Sequence, residues 1–233
     1  MAAVTDATDV TGLAGLAGLA DALRALPKVE LHCHVEGTMR PGTVISLAAK
    51  NGVPLPPGDV RDLYRYGSLD EFLTVFWLVQ SVLADQGDWE RLGYESVLDG
   101  AAAGRVYAEV FVTPARHLAA GQALASVLAG LSAGLAAGDA ETGCRTMIIV
   151  DMDRAYGGDE GLSLVSELVS LRRAGAPGTD RVIGIGMDST EYVEATWLDD
   201  SDKRALSARV RAEAATIRES ITQAGVTPPD LSR

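Results

Sequence analysis

Two imidazoles separated by one residue are the strongest chemical signal in this chain. His32-Cys33-His34 falls in a short β-rich run, 29–34. Residues i and i+2 of a strand point to one face, so both rings can converge on one cation while Cys33 points away. Imidazole nitrogens suit zinc, and the triplet reads as a pair of metal ligands. The plain alternative is two polar residues at a strand end. Cys33 reads as a small buried hydrophobe. His117, the one further histidine, reads as a loop residue bonded to backbone, with a pocket contact as the alternative. Asp151 and Asp153 close a later strand, where solvated carboxylates are expected and a pocket rim is the alternative. Glu109 reads as a buried, paired structural acid.

The elements that must position these residues alternate along the chain. A helix over 19–28 is expected to close at Pro27, and the strand 29–34 follows. Pro41 opens a helix that ends near Gly52. Ser68-Leu69-Asp70-Glu71 is a capping-box pattern ahead of an apolar run, and another helix is predicted over 88–103. Strands are predicted at 106–113, 144–152 and 181–188. Helices are predicted at 119–137, where Leu124, Val127, Leu128, Leu131 and Leu135 recur at helical spacing, and at 159–174. The strands are continuous apolar runs, as expected where helices cover them. Alternating strands and helices imply a parallel sheet with right-handed crossovers. The expected fold class is α/β, a TIM-barrel-like (β/α) architecture that is incomplete, with about four β/α units. An amphipathic C-terminal helix is predicted over 202–224. The domain expectation is a flexible leader over 1–18, a partial barrel over 19–191 and a divergent helical tail over 192–233.

The bulk properties narrow the partners. The 233 residues carry a formal net charge of -12, which a nucleic acid would repel. No apolar run approaches the roughly 20 residues a membrane span needs. The N-terminal MAAVTDATDV has aspartates where a signal peptide has basic residues, and two cysteines do not suggest a disulfide-stapled domain. The expectation is a cytoplasmic protein with a small-molecule partner, no nucleic acid and no membrane.

The segment Leu26-Pro27-Lys28-Val29-Glu30-Leu31-His32-Cys33-His34-Val35-Glu36-Gly37-Thr38 resembles the opening signature of the adenosine/adenine deaminase family. Further stretches resemble that family in order: Arg40-Pro41 with Asn51-Gly52-Val53, the helix bearing Phe72 and Phe76, Tyr107 to Phe111 with Pro114 and His117, and Val182 to Glu191. The resemblance implies a zinc-dependent hydrolytic deaminase acting on a purine. It implies one zinc ion with His32 and His34 as ligands. It places His34, Glu36, Phe72, Phe76, Gly186 and Ser189 around the substrate. Met187-Asp188-Ser189 stands where adenosine-specific members often read Leu-Ala-Gly, and the Asp-Ser pair looks closer to the adenine-type branch. The family's His-Ala-Gly-Glu motif, its later histidine and its zinc-binding aspartate have no counterpart in the sequence, so no catalytic residue is assigned. The expectation is a deaminase-like chain in truncated form. The alternative is a catalytically inactive homologue acting as a binding or assembly protein, self-associating through the helix at 202–224.

Overall fold

The computed structural model describes Asp21, Arg24 and residues 26–188. The leader over 1–18, Ser189, and the helix over 202–224 with the self-association drawn from it lie outside the described residues. Asp21 and Arg24 are helical, as expected for that segment, and form an ion pair at 3.0 Å.

Four strands form one sheet: β1 (Lys28–His34), β2 (Arg105–Val112), β3 (Arg145–Asp153) and β4 (Val182–Asp188). All neighbours are parallel and the spatial order is the sequence order. Between them run α1 (Pro41–Asn51), α2 (Leu69–Ser81), α3 (Gln86–Ala102), α4 (Ala115–Ala119), α5 (Leu124–Thr142) and α6 (Gly158–Arg173). This is the (β/α) architecture expected from the sequence. Among the described residues no helix is long and apolar enough to cross a membrane.

Local sequence explains most boundaries. Pro41 opens α1, and Gly52 ends it in the left-handed conformation, φ +68°. The Ser68 side chain accepts from the Glu71 amide at the start of α2. A second cap was not anticipated: Asp85 and Asp88 form a reciprocal capping box, so α3 starts two residues before the predicted 88. The helix predicted over 119–137 is corrected to Leu124–Thr142. Gly121, at φ +91°, turns the chain between α4 and α5. Apolar periodicity alone does not locate that break.

The core lies between one face of the sheet and the helices. Ala108, Val110, Val112, Ile148 and Val150 are buried against it, with Trp89 and Leu92 of α3 and Leu124, Leu128, Leu131 and Leu135 of α5. From Tyr107 to Val112 of β2 the burial alternates residue by residue, leaving Tyr107, Glu109 and Phe111 on the opposite face. That opposite face carries the histidines.

Candidate functional site

The C-terminal end of β1 places His32 and His34 on the same face, at the strand end where such folds build their sites. Cys33 pairs with Val110 and His34 with Phe111. The ring centres of His32 and His34 are 5.5 Å apart. With a Zn–N bond of about 2.0–2.1 Å, two imidazoles on one tetrahedral ion hold ring centres roughly 5 Å apart. The pair therefore fits joint coordination of one ion. Phe111 lies 4.3 Å from the His32 ring and 5.6 Å from the His34 ring, backing both.

Cys33 is half-buried, and burial with the nearby Glu30 carboxylate pushes its thiol up to about 11. A raised thiol is in keeping with Cys33 as a small buried hydrophobe. Cys33 and Cys144 are both free thiols.

His34 is held from behind. Its Nδ1 faces Thr113 Oγ1 at 3.4 Å and Asp151 Oδ2 at 3.9 Å. Asp151 is 2% exposed, which corrects the expectation of a solvated carboxylate. It pairs with Gly186 across β3 and β4. A Cβ at position 186 would overlap Asp151 Oδ1 and come 3.0 Å from Phe111 Cε1.

Glu36 follows in a short 3-10 turn, Val35–Thr38, and is fully buried. Its Oε1 accepts the Thr113 amide at 3.0 Å, tying the end of β1 to the end of β2. Phe76 meets His34 edge-on at 6.1 Å, and Phe72 stacks on Phe76 at 5.6 Å. These aromatics of α2 wall one side of the histidine pair. Gly186 borders it through Asp151 and Phe111.

Other candidates fall elsewhere. His117 sits in α4, not in a loop; it is buried and packs edge-on against Trp89 at 4.6 Å. Burial, with the Arg116 charge, pushes its imidazole down to about 4. Glu109 is half-buried and accepts the Tyr107 hydroxyl at 3.0 Å, in keeping with a paired structural acid. Asp153 accepts the Ala155 amide and lines a cavity of about 240 Å³ with Leu118, Met152, Tyr156 and Leu164. That cavity contains neither His32 nor His34 in its wall. Among the described residues no group of three or more His, Cys, Asp or Glu gathers as a metal site.

Sequence reasoning missed Phe111 and Thr113. Phe111 was findable, since it is in phase with Tyr107 and Glu109 at the strand period of two. Nothing in the type or place of Thr113 marks it.

Comparison with known proteins bears on this geometry. A family model described as Adenosine deaminase matches residues 27–217. A Streptomyces coelicolor protein named adenine deaminase is 40% identical over 174 residues, covering 73% of this chain and 49% of that protein. The crystal structure of an adenine deaminase from Arthrobacter aurescens superposes with a TM-score of 0.63 at 31% identity, covering 71% of this chain and 49% of that one. An amidohydrolase from Burkholderia ambifaria, solved with bound Zn, superposes at 0.65 with 27% identity, covering 80% and 52%. The chain thus spans about half the length of the curated relatives it matches.

Proposed function

As the chain belongs to the adenosine deaminase family, we propose that His32 and His34 are two ligands of one zinc ion in a site for hydrolytic deamination of an adenine-type purine. The observation that carries this reading is the 5.5 Å separation of two rings on one strand face. Zinc held there would supply a coordinated water acidified toward neutral pH, which attack on an amino-bearing purine carbon requires.

The chain's own residues have definable parts in this reading. His32 and His34 bind through ring nitrogens, and Phe111 restricts both rings. Phe72 and Phe76 offer an aromatic wall beside His34 suited to a flat heterocycle. Gly186 keeps the sheet surface open where a side chain would collide with Asp151. Glu36 shapes the border by fixing the Thr113 amide. Ser189 enters from the sequence pattern alone. The Asp188-Ser189 pair and the adenine deaminase names of the relatives favour adenine over adenosine.

On this reading the described residues offer these two ligands, and the family's His-Ala-Gly-Glu motif has no counterpart in the sequence. One observation favours the alternative of an inactive homologue: the 233 residues carry no histidine after His117. The two readings part on turnover. The test is zinc uptake by chelator competition together with an ultraviolet assay on adenine and adenosine. Turnover lost with His32→Ala and with chelator supports the enzyme; zinc uptake without turnover supports the inactive form. Equal zinc uptake by wild type, His32→Ala and His34→Ala would sink the metal reading.

A further inference from the structure

Asp153 ends β3 on the cavity of about 240 Å³ that takes no part in the histidine site. The floor of this cavity is apolar, formed by Leu118 of α4, Met152 of β3 and Leu164 of α6. The space stays open because the residues around it are small. Ala115 and Ala119, four apart, share one face of α4. Gly161 adds no side chain from α6, and a Cβ there would lie 3.3 Å from Met152 Sδ. The volume falls below the roughly 300–1,000 Å³ of drug-sized sites, so a matching ligand is a short chain of atoms.

The charged groups in the wall are two carboxylates, Asp153 and Glu160, and the wall holds no Lys, Arg or His. Asp153 Oδ1 accepts the Ala155 amide, which leaves Oδ2. Among the described residues neither that oxygen nor the Glu160 carboxylate has a hydrogen-bond or ion-pair partner. Each acid also has a local use. Asp153 caps the 3-10 turn Arg154–Tyr156, and Glu160 sits in the first turn of α6. Neither use requires the two to border one apolar space. Tyr156 joins them in the wall, and its ring offers a face to a cation. An anion here would be repelled by both carboxylates. A neutral apolar ligand would strip water from them with nothing in return. A cation with a short apolar chain satisfies the floor and the acids together.

We infer that this cavity binds a small alkylammonium ion, with its charge against Asp153 and Glu160 and its chain along Leu118, Met152 and Leu164. The site stands apart from the proposed metal and deaminase readings, because neither His32 nor His34 lines it.

The test uses the full 233-residue chain, with n-butylammonium as the probe and n-butyrate and n-butanol as controls. The readout is the methyl spectrum of ¹³C-labelled methionine. Five methionines keep it simple, and Met152→Leu assigns the signal. n-Butylammonium should shift the Met152 methyl saturably, and n-butyrate should not. Glu160→Gln, a change at an exposed position, should weaken n-butylammonium about tenfold, and Asp153→Asn should weaken it in the same direction. Ala119→Leu fills the space from an exposed wall position and should abolish the shift. No saturable shift with millimolar n-butylammonium overturns the inference, and needs no variant to fold. Equal binding of n-butanol or n-butyrate overturns it, as does undiminished binding by both Glu160→Gln and Ala119→Leu. Binding of acetyl-lysine methylamide without binding of n-butylammonium would overturn the small-molecule site in favour of a lysine side chain from a partner protein.

Discussion

Gly134 of α5 lies so close to Glu90 of α3 that a Cβ at position 134 would overlap the Glu90 carbonyl oxygen. Gly130, one turn earlier, meets the Gln86 carbonyl oxygen of α3 in the same way, while Gly138, one turn later, meets the Val97 side chain. Backbone-to-backbone contact of this kind cannot yield by a rotamer change. Gly134→Ala should therefore destabilise the fold by about 1–3 kcal/mol, despite alanine's better helix propensity, worth about 1 kcal/mol. Gly42, in α1 with nothing near its missing Cβ, is the control. Gly42→Ala should be neutral or stabilising by about 0.5 kcal/mol. Urea unfolding of the two variants reads the difference.

His117 should make stability fall in mild acid. Its imidazole is held down at about 4 by burial and by Arg116, against an ordinary value of 6.5. Between those values the unfolded chain takes up a proton that the folded chain refuses. Stability is thus fully present above 6.5 and is lost as pH falls through this window, by about 3 kcal/mol in total. His117→Phe, which keeps an aromatic against Trp89, should flatten that part of the profile. Unfolding free energies of both proteins measured from pH 7 down to pH 4 would test it, and parallel curves would refute it.

Asp88 should be a stability determinant far from the site. It is 1% exposed and accepts from Lys50 Nζ at 2.6 Å, Asn51 Nδ2 at 2.8 Å and the Ala84 amide at 3.0 Å. Asp88→Ala leaves several donors facing an empty space and should cost about 2–3 kcal/mol. Lys50 is half exposed, so water can replace its partner, and Lys50→Met should cost less than about 1 kcal/mol. Thermal unfolding of the two variants should rank them in that order.

Phe111 should influence metal binding without being a ligand. Its ring touches both imidazoles, so Phe111→Ala frees them to rotate apart. Zinc affinity should drop by about tenfold or more, with His32 and His34 both present. An affinity equal to wild type in the chelator competition would show that the rings are held by something else.

The pairing of His32 with His34 was legible because a strand's period of two leaves no choice of face. The four strands and their parallel order were legible because each apolar run is separated from the next by helical spacing. The start of α5 was not. The same small-residue pattern that lets α5 approach α3 blurs its periodicity, and Gly121 breaks the helix for a purely backbone reason. The burial of Asp151 was also out of reach. It depends on a cross-strand neighbour, Gly186, whose missing side chain makes the space. Thr113 acts through its amide and its register position, neither of which is written in the residue type.

Positions 151 and 186 occupy one shared volume on adjacent strands. A side chain gained at the second must be matched by shrinkage at the first, so the two should drift together across related sequences. Gly186→Ala alone should be poorly tolerated, and a compensating Asp151→Ser should recover folding while leaving His34 without its carboxylate. Stability and chemistry can thus be separated at this one contact.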